Sequence, residues 1–300
     1  MNPAGPLLTD RVTADSMKLR RLTIIGAGLL GGSFGLAIRE RFHVDEIIGV
    51  SRSLSSRDAA LKSGAVTSAT DDVEAACDHS NLVVVAVPVN GIVEMVLRAA
   101  KRCDKNAMII DLGSTKASIV NAIDQHESAA KMFVGTHPIA GSEKTGAENA
   151  RADLFVGKAV ILTPSMHTSP ALFSKVESLW LALGSRVFRM TPEEHDATMA
   201  SISHVPHLVA SMLAALLAPD AGPVVGSGWL DTTRVASGDP DLWTAICQEN
   251  SAAIIQELAT ANRWLANLSD CIEREDFDRV RQLLERSKQI RDTVVAARGK

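Results

Sequence analysis

From residue 22 onward, short apolar runs alternate with stretches whose apolar residues recur at helical spacing. LTIIG (22–26), EIIGV (46–50), LVVVAV (82–87), MIID (108–111), MFVG (132–135) and AVIL (159–162) are bounded by glycine, proline or aspartate. Runs that are apolar throughout fit strands covered on both faces, and the stretches between them fit crossover helices. The pattern predicts a doubly wound α/β domain built on a parallel sheet. After VFRMTPEEH (187–195) the rhythm changes and only helical periodicity remains. Pro192 followed by Glu193 and Glu194 suits a helix start, since proline loses nothing there and acids favour the positive dipole end. The expected layout is a loose tail over 1–17, an α/β domain over 18–190 and an all-helical domain over 191–300. Near the end, Phe277, Val280, Leu284, Ile290 and Val294 mark an amphipathic helix, whose apolar face packs either within its own domain or against a second copy of the chain.

Composition narrows the class. The chain has 300 residues, 46% hydrophobic and 22% charged, which fits a folded globular protein of about two domains rather than a disordered or rod-like one. A formal net charge of −4 without a dense Lys/Arg stripe argues against a nucleic-acid partner. No run approaches the ~18 uninterrupted apolar residues of a membrane helix, so no membrane partner is expected. Cys77, Cys103, Cys247 and Cys271 are scattered with no CxxC pair, which fits a reducing cytoplasm and no cysteine-rich metal site.

The first chemical motif is GAGLLG (26–31), which stands directly after a strand-like run and before a helical stretch. In that context Gly26, Gly28 and Gly31 permit a tight turn, close approach of a pyrophosphate and close helix packing, with Leu29 and Leu30 between them. This is the fingerprint of a Rossmann-type dinucleotide site; Val87 and Pro88, closing the LVVVAV run, are assigned to the same site. At the end of the second run, where NAD sites usually carry an acid, the sequence has Ser51, Arg52 and Ser53, with Arg57 a turn later. Serine and arginine accommodate an added phosphate that an acid would repel, so NADP is expected, with NAD possible. The alternative is that Arg52 is a solvated surface charge.

A dinucleotide fold leaves the substrate open. DLGSTK (111–116), THPIAGSEKTG (136–146), SHVPH (203–207) and DTTRVASGDPDLW (231–243) carry the remaining chemistry. Ser114 and His137 each follow a strand, in the crevice where open α/β sheets hold ligands. A neutral imidazole with a reference pKa near ~6.5 suits uptake of a proton from an alcohol. His204 and His207, spaced i, i+3 with Pro206 between them, read as substrate-facing, as a zinc pair or as structural histidines; no third or fourth ligand is spaced with them, and no metal is expected.

In their order, GAGLLGGSFG, DLGSTK, GTHPIAGSEKTG, VILTP, SHVPHLV and TRVASGDPDLW make the chain resemble the prephenate/arogenate (cyclohexadienyl) dehydrogenases of tyrosine biosynthesis, from about Leu22 to the last helices. The resemblance implies NAD(P)-dependent oxidation and decarboxylation of a small cyclohexadienyl acid, prephenate or arogenate, by a cytoplasmic homodimer joined through its helical domain. It implies His137 as the catalytic histidine, with Ser114 orienting substrate, histidine and nicotinamide. Arg234 would hold the ring carboxylate in a planar fork, and His207 would meet the substrate side chain. Glu143 and Asp231 match acids that gate the arginine, and Trp243 an aromatic near the pocket; the acids read equally as solvated charges and the indole as core. The rivals are another two-domain hydroxyacid dehydrogenase and a non-catalytic NADP sensor. The first would need a catalytic lysine in the helical half, where only Lys288 and Lys300 stand. The second would have no use for Ser114, His137 and Arg234 together.

Overall fold

A computed structural model describes residues 19–140, 144 and 146–298. The expected tail and Glu143 lie outside the described residues. Among these, β1 (Leu19–Ile25), β2 (Val44–Val50), β3 (Ser68–Thr70), β4 (Leu82–Val85), β5 (Met108–Asp111), β6 (Phe133–Pro138), β7 (Ala159–Thr163) and β8 (Arg186–Arg189) form one sheet in the order β3-β2-β1-β4-β5-β6-β7-β8. Interleaved with them are α1 (Leu29–Arg41), α2 (Leu54–Lys62), α3 (Val73–Cys77), α4 (Ile92–Ala100), α5 (Ala117–Asp124), α6 (Glu127–Ala130) and α7 (Pro170–Ala182). Beyond the sheet run α8 (Pro192–Met199), α9 (Val205–Ala215), α10 (Ser227–Thr233), α11 (Pro240–Glu249), α12 (Ser251–Glu273) and α13 (Phe277–Arg298).

The six expected strands are all present, and the sheet is parallel from β3 through β6. It departs from the parallel expectation at one junction, where β7 runs antiparallel to β6. The described residues between those strands contain only a short 3₁₀ turn at Ala147–Asn149 and no crossover helix. Without a crossover helix to carry the chain back, the next strand enters from the opposite end. α7 restores a crossover, and β8 is again parallel to β7. β3 and β8 are strands the apolar runs did not announce.

Both faces of the sheet are covered, which is why the central strands are apolar without interruption. In β4, Leu82 and Val84 enter one buried cluster with Phe34, Phe155 and Trp180, while Val83 and Val85 enter another with Ile92, Val96 and Ile119. Alternate side chains of one strand point to opposite faces, so both faces of this strand need apolar residues. The first cluster is locked by edge-to-face contacts of Trp180 with Phe34 and Phe155, at 5.4 and 5.3 Å between ring centroids.

α8 opens at Pro192 with a capping box: the Thr191 hydroxyl accepts from Glu194 N at 3.1 Å, and Thr191 N donates to the Glu194 carboxylate at 2.8 Å. The chain then widens into a π turn over Ala200–His204 before α9 begins. Pro206 therefore sits in the first turn of α9 rather than inside a continuous helix. Lacking an N–H for the carbonyl of Ile202, proline fits where the ladder is already interrupted. The described chain divides into two compact units, one running through Ser251 and the other from Ala252 onward. Within the second, α13 leaves Phe277, Leu284, Ile290 and Val294 each more than half exposed. No helix among the described residues is long and apolar enough to cross a membrane.

Candidate active site

The strand order reverses direction between β1 and β4, the position at which open α/β sheets bind ligands beyond their carboxyl ends. A cavity of about 1140 Å³ opens there, lined by Gly26 and Gly28 after β1, Ser51 and Arg52 after β2, and Val87 and Pro88 after β4. Gly26 adopts φ +96°, and a side chain at that position would stand 2.5 Å from the carbonyl oxygen of Ala86. Only glycine tolerates both conditions. A Cβ at Gly28 would meet no atom within 4 Å, so the backbone at the amino end of α1 borders open space. At Gly31 a Cβ would collide with Gly26 O, so this glycine seats the helix against the turn. An open cradle at a helix amino end fits a pyrophosphate.

The remaining expected cofactor residues shape this rim instead of lining the cavity. Leu29 and Leu30 are partly buried against the core. Ser53 caps α2 by accepting from Ser56 N at 3.1 Å. Arg57 donates to the carbonyls of Ser51 and Arg52 at 2.8 and 3.1 Å and to Asp71 at 3.1 Å. The far rim is thus Ser51, Arg52, Ser55, Ser56 and Asp71, and the Asp71 carboxylate is paired with Arg57.

At the end of β5 the DLGSTK segment folds around a buried ion pair. Lys116 Nζ donates to Asp111 Oδ2 at 2.5 Å and to the carbonyls of Gly113 and Thr115 at 2.9 and 2.8 Å, with both charged side chains at 0% exposure. Asp111 Oδ1 also accepts from Thr136 N at 3.0 Å, tying this loop to β6. Ser114 sits half-buried in the same turn.

His137, near the end of β6, is half-buried, and its Nδ1 lies 2.8 Å from Nε2 of His195 on α8. Nδ1 of His195 lies 2.7 Å from Oδ1 of Asp196. Asp196 in turn accepts from the backbone N–H groups of Lys116 and Ala117 at 2.8 and 2.9 Å, at the start of α5. Asn250 donates to the Asp196 carbonyl at 2.8 Å and faces Nδ1 of His204 at 3.1 Å. Burial pulls the His137 imidazole well below its ordinary range, aided by neighbouring His195, Lys116 and His204. His195 is lowered by burial too, against the upward pull of Asp196. Burial alone would raise the Asp196 carboxyl, but the hydrogen bonds from His195 and the two backbone N–H groups hold it below its usual value. Burial takes His204 down to about 4. At neutral pH these imidazoles are uncharged.

On the helical side, the rings of His207 and Trp243 are stacked, and Nδ1 of buried His207 has no hydrogen-bond partner among the described residues. His204 is buried and meets Trp243 edge-on at 6.2 Å, so Asn250 and the indole enclose it. Arg234 and Asp231 are exposed; Arg234 begins the 3₁₀ turn through Ser237, which packs against α9, the helix bearing His207. Among the described residues, no group of three or more His, Cys, Asp or Glu side chains is placed to hold a metal ion.

His195, Asp196, Asn250 and the Asp111–Lys116 pair escaped the sequence reading. Within TPEEHDA the histidine and aspartate look like polar residues of a solvated first turn. Only the pairing of β6 with α8, 58 positions apart, reveals the contact. The one available hint was the acid and base five residues apart in DLGSTK, Asp111 and Lys116, close enough in sequence to pair.

A dinucleotide cradle beyond the carboxyl ends of β1, β2 and β4, and a neutral imidazole at the carboxyl end of β6, fit a nicotinamide-dependent dehydrogenase. Family models described as the nucleotide-binding and dimerization domains of prephenate dehydrogenase match residues 34–189 and 191–286. The chain belongs to the prephenate dehydrogenase family. A prephenate dehydrogenase of Bacillus subtilis is 31% identical over 90% of this chain and 75% of its own length. A cyclohexadienyl dehydrogenase of Zymomonas mobilis is 29% identical over 91% of this chain and 95% of its own. Among solved structures, the A. aeolicus prephenate dehydrogenase in complex with hydroxyphenyl propionate and NAD+ superposes with a TM-score of 0.85 at 30% identity, covering 94% of this chain and 99% of that one. The chain is therefore an oxidoreductase that works with a nicotinamide cofactor.

Proposed function

We propose that this enzyme oxidises and decarboxylates prephenate, arogenate or both, with NADP as its preferred cofactor and His137 as the proton acceptor. The carrying observation is the placement of His137 at the sheet's carboxyl edge, with Nδ1 2.8 Å from His195 Nε2. A neutral, anchored imidazole is the group that accepts a hydrogen bond from a ring hydroxyl near neutral pH.

Bound cofactor supplies the hydride acceptor; the protein's own part is positioning and proton management. The hydride leaves the carbinol carbon, and the carbon–carboxylate bond opposite it releases CO2 as its electron pair enters the ring. His137 takes the hydroxyl proton and returns it to the phenolic oxygen of the product, so acid and base balance. Ser114 orients the hydroxyl. Arg234 binds the ring carboxylate through its planar fork, and the exposed Asp231 is the acid that gates it. His207, its ring stacked on Trp243, is the residue assigned to the substrate side chain. Ser51, Arg52, Ser55 and Ser56 at the amino end of α2 suit the added phosphate of NADP, since Asp71 is neutralised by Arg57. The exposed apolar stripe of α13 supports a homodimer joined through the helical region. Assaying prephenate and arogenate, each with NAD+ and NADP+, tests the reading: growth of reduced-nicotinamide absorbance supports it, and cofactor binding without turnover on either acid rejects it.

A further inference from the structure

The functional reading needs His137 to present a lone pair, and a histidine has two neutral tautomers of which only one can do so at a given nitrogen. The structure determines which. The Asp196 carboxylate already accepts from the N–H groups of Lys116 and Ala117, and a carboxylate offers no proton. His195 Nδ1, 2.7 Å from that carboxylate, is therefore the donor of their bond. A neutral His195 protonated at Nδ1 carries a lone pair at Nε2, and the atom 2.8 Å from that lone pair is His137 Nδ1.

We infer that His195 and Asp196 are positioning residues that hold His137 in its Nδ1–H tautomer, leaving Nε2 unprotonated to receive the substrate's hydroxyl proton. This rests on the proposed role of His137 and extends it to two residues that touch neither substrate nor cofactor. The polarity of the chain runs one way: His137 donates to His195, His195 donates to Asp196, and Asp196 receives from α5. A doubly protonated His195 would donate at Nε2 instead, force His137 to accept at Nδ1, and place the proton of His137 on the wrong nitrogen. Burial opposes that charge on His195. The charged and titratable groups around the pair are Asp111 at the end of β5, Lys116 from the loop after it, Asp196 on α8 itself and His204 from the π turn. Asn250, at the end of α11, fixes the Asp196 carbonyl and His204 together.

Long-range nitrogen–proton NMR of histidine-labelled, cofactor-bound full-length enzyme decides the tautomer. The expected spectrum shows His137 protonated at Nδ1 and bare at Nε2; the reverse assignment overturns the inference in the wild-type protein alone, whatever any variant does. His195→Leu is expected to lower kcat on the order of 100-fold with cofactor affinity unchanged, and to populate the other His137 tautomer. His195→Gln, whose amide oxygen can accept from His137 Nδ1, is expected to recover at least tenfold of that loss. Wild-type kcat and an unchanged His137 tautomer in His195→Leu also overturn it. His137→Asn assayed alongside separates the two readings: activity lost there but kept in His195→Leu rejects the relay only, whereas activity kept in His137→Asn rejects the role of His137 itself.

Discussion

The ring of Trp243 lies parallel to that of His207, 3.4 Å between centroids and 11° between planes. Gly238 makes this possible, because a Cβ there would collide with the indole Nε1 and stand 3.0 Å from His207 Cε1. Gly238→Ala is expected to unstack the pair, destabilise the fold by about 1–3 kcal/mol and raise the KM for substrate more than it lowers kcat. Thermal unfolding and steady-state kinetics of the variant check both effects.

Arg234 is exposed and begins a short turn against α9, so its loss leaves the core intact. Arg234→Gln is expected to raise the substrate KM roughly 30-fold, equivalent to ~2 kcal/mol, without changing cofactor affinity. Arg234→Lys is expected to recover little, since a point charge does not reproduce the planar fork.

The Lys116–Asp111 pair behaves differently because both partners are fully buried. Lys116→Met strands the Asp111 carboxylate without its cation, at a cost of about 3–5 kcal/mol. The midpoint of denaturant unfolding reads this directly, and a variant as stable as the parent would contradict it.

His204 supplies part of the pH dependence of stability, alongside the other buried histidines. Its folded-state value of about 4 lies below the ~6.5 of an unfolded histidine. Between those pH values the unfolded chain binds a proton that the folded chain refuses, so stability present above pH ~6.5 is lost as pH falls towards 4. The contribution of this residue is at most about 3 kcal/mol. Unfolding free energies measured across that range are expected to fall, and His204→Gln to flatten part of the slope.

The serine and arginine rim predicts a cofactor switch. Ser51→Asp is expected to reduce kcat/KM with NADP+ at least about tenfold while sparing or improving NAD+, because an acid repels the extra phosphate and receives ribose hydroxyls. The ratio of the two specificity constants is the measurement.

The legibility of the chain followed the reach of its signals. Strands such as Leu82–Val85 announce themselves because burial on both faces leaves no polar position. Ser68–Thr70 is three half-buried residues, and Arg186–Arg189 is an edge strand mostly open to solvent, so neither leaves an apolar run. The direction of β7 follows from the connection between β6 and β7, whose described residues hold no crossover helix, and no residue type inside AVIL encodes it. The GAGLLG turn was readable because glycine requirements are local. His195 and Asp196 were not, because their meaning comes from partners on β6 and α5 that only the tertiary fold brings near.

Asp196 grips the N–H groups of Lys116, which caps α5, and of Ala117, its first residue, with the same carboxylate that meets His195 Nδ1, while its own carbonyl is held by Asn250. One residue therefore acts as a rivet: α8 cannot swing away from the sheet without tearing off a helix cap and parting His195 from His137 in the same movement.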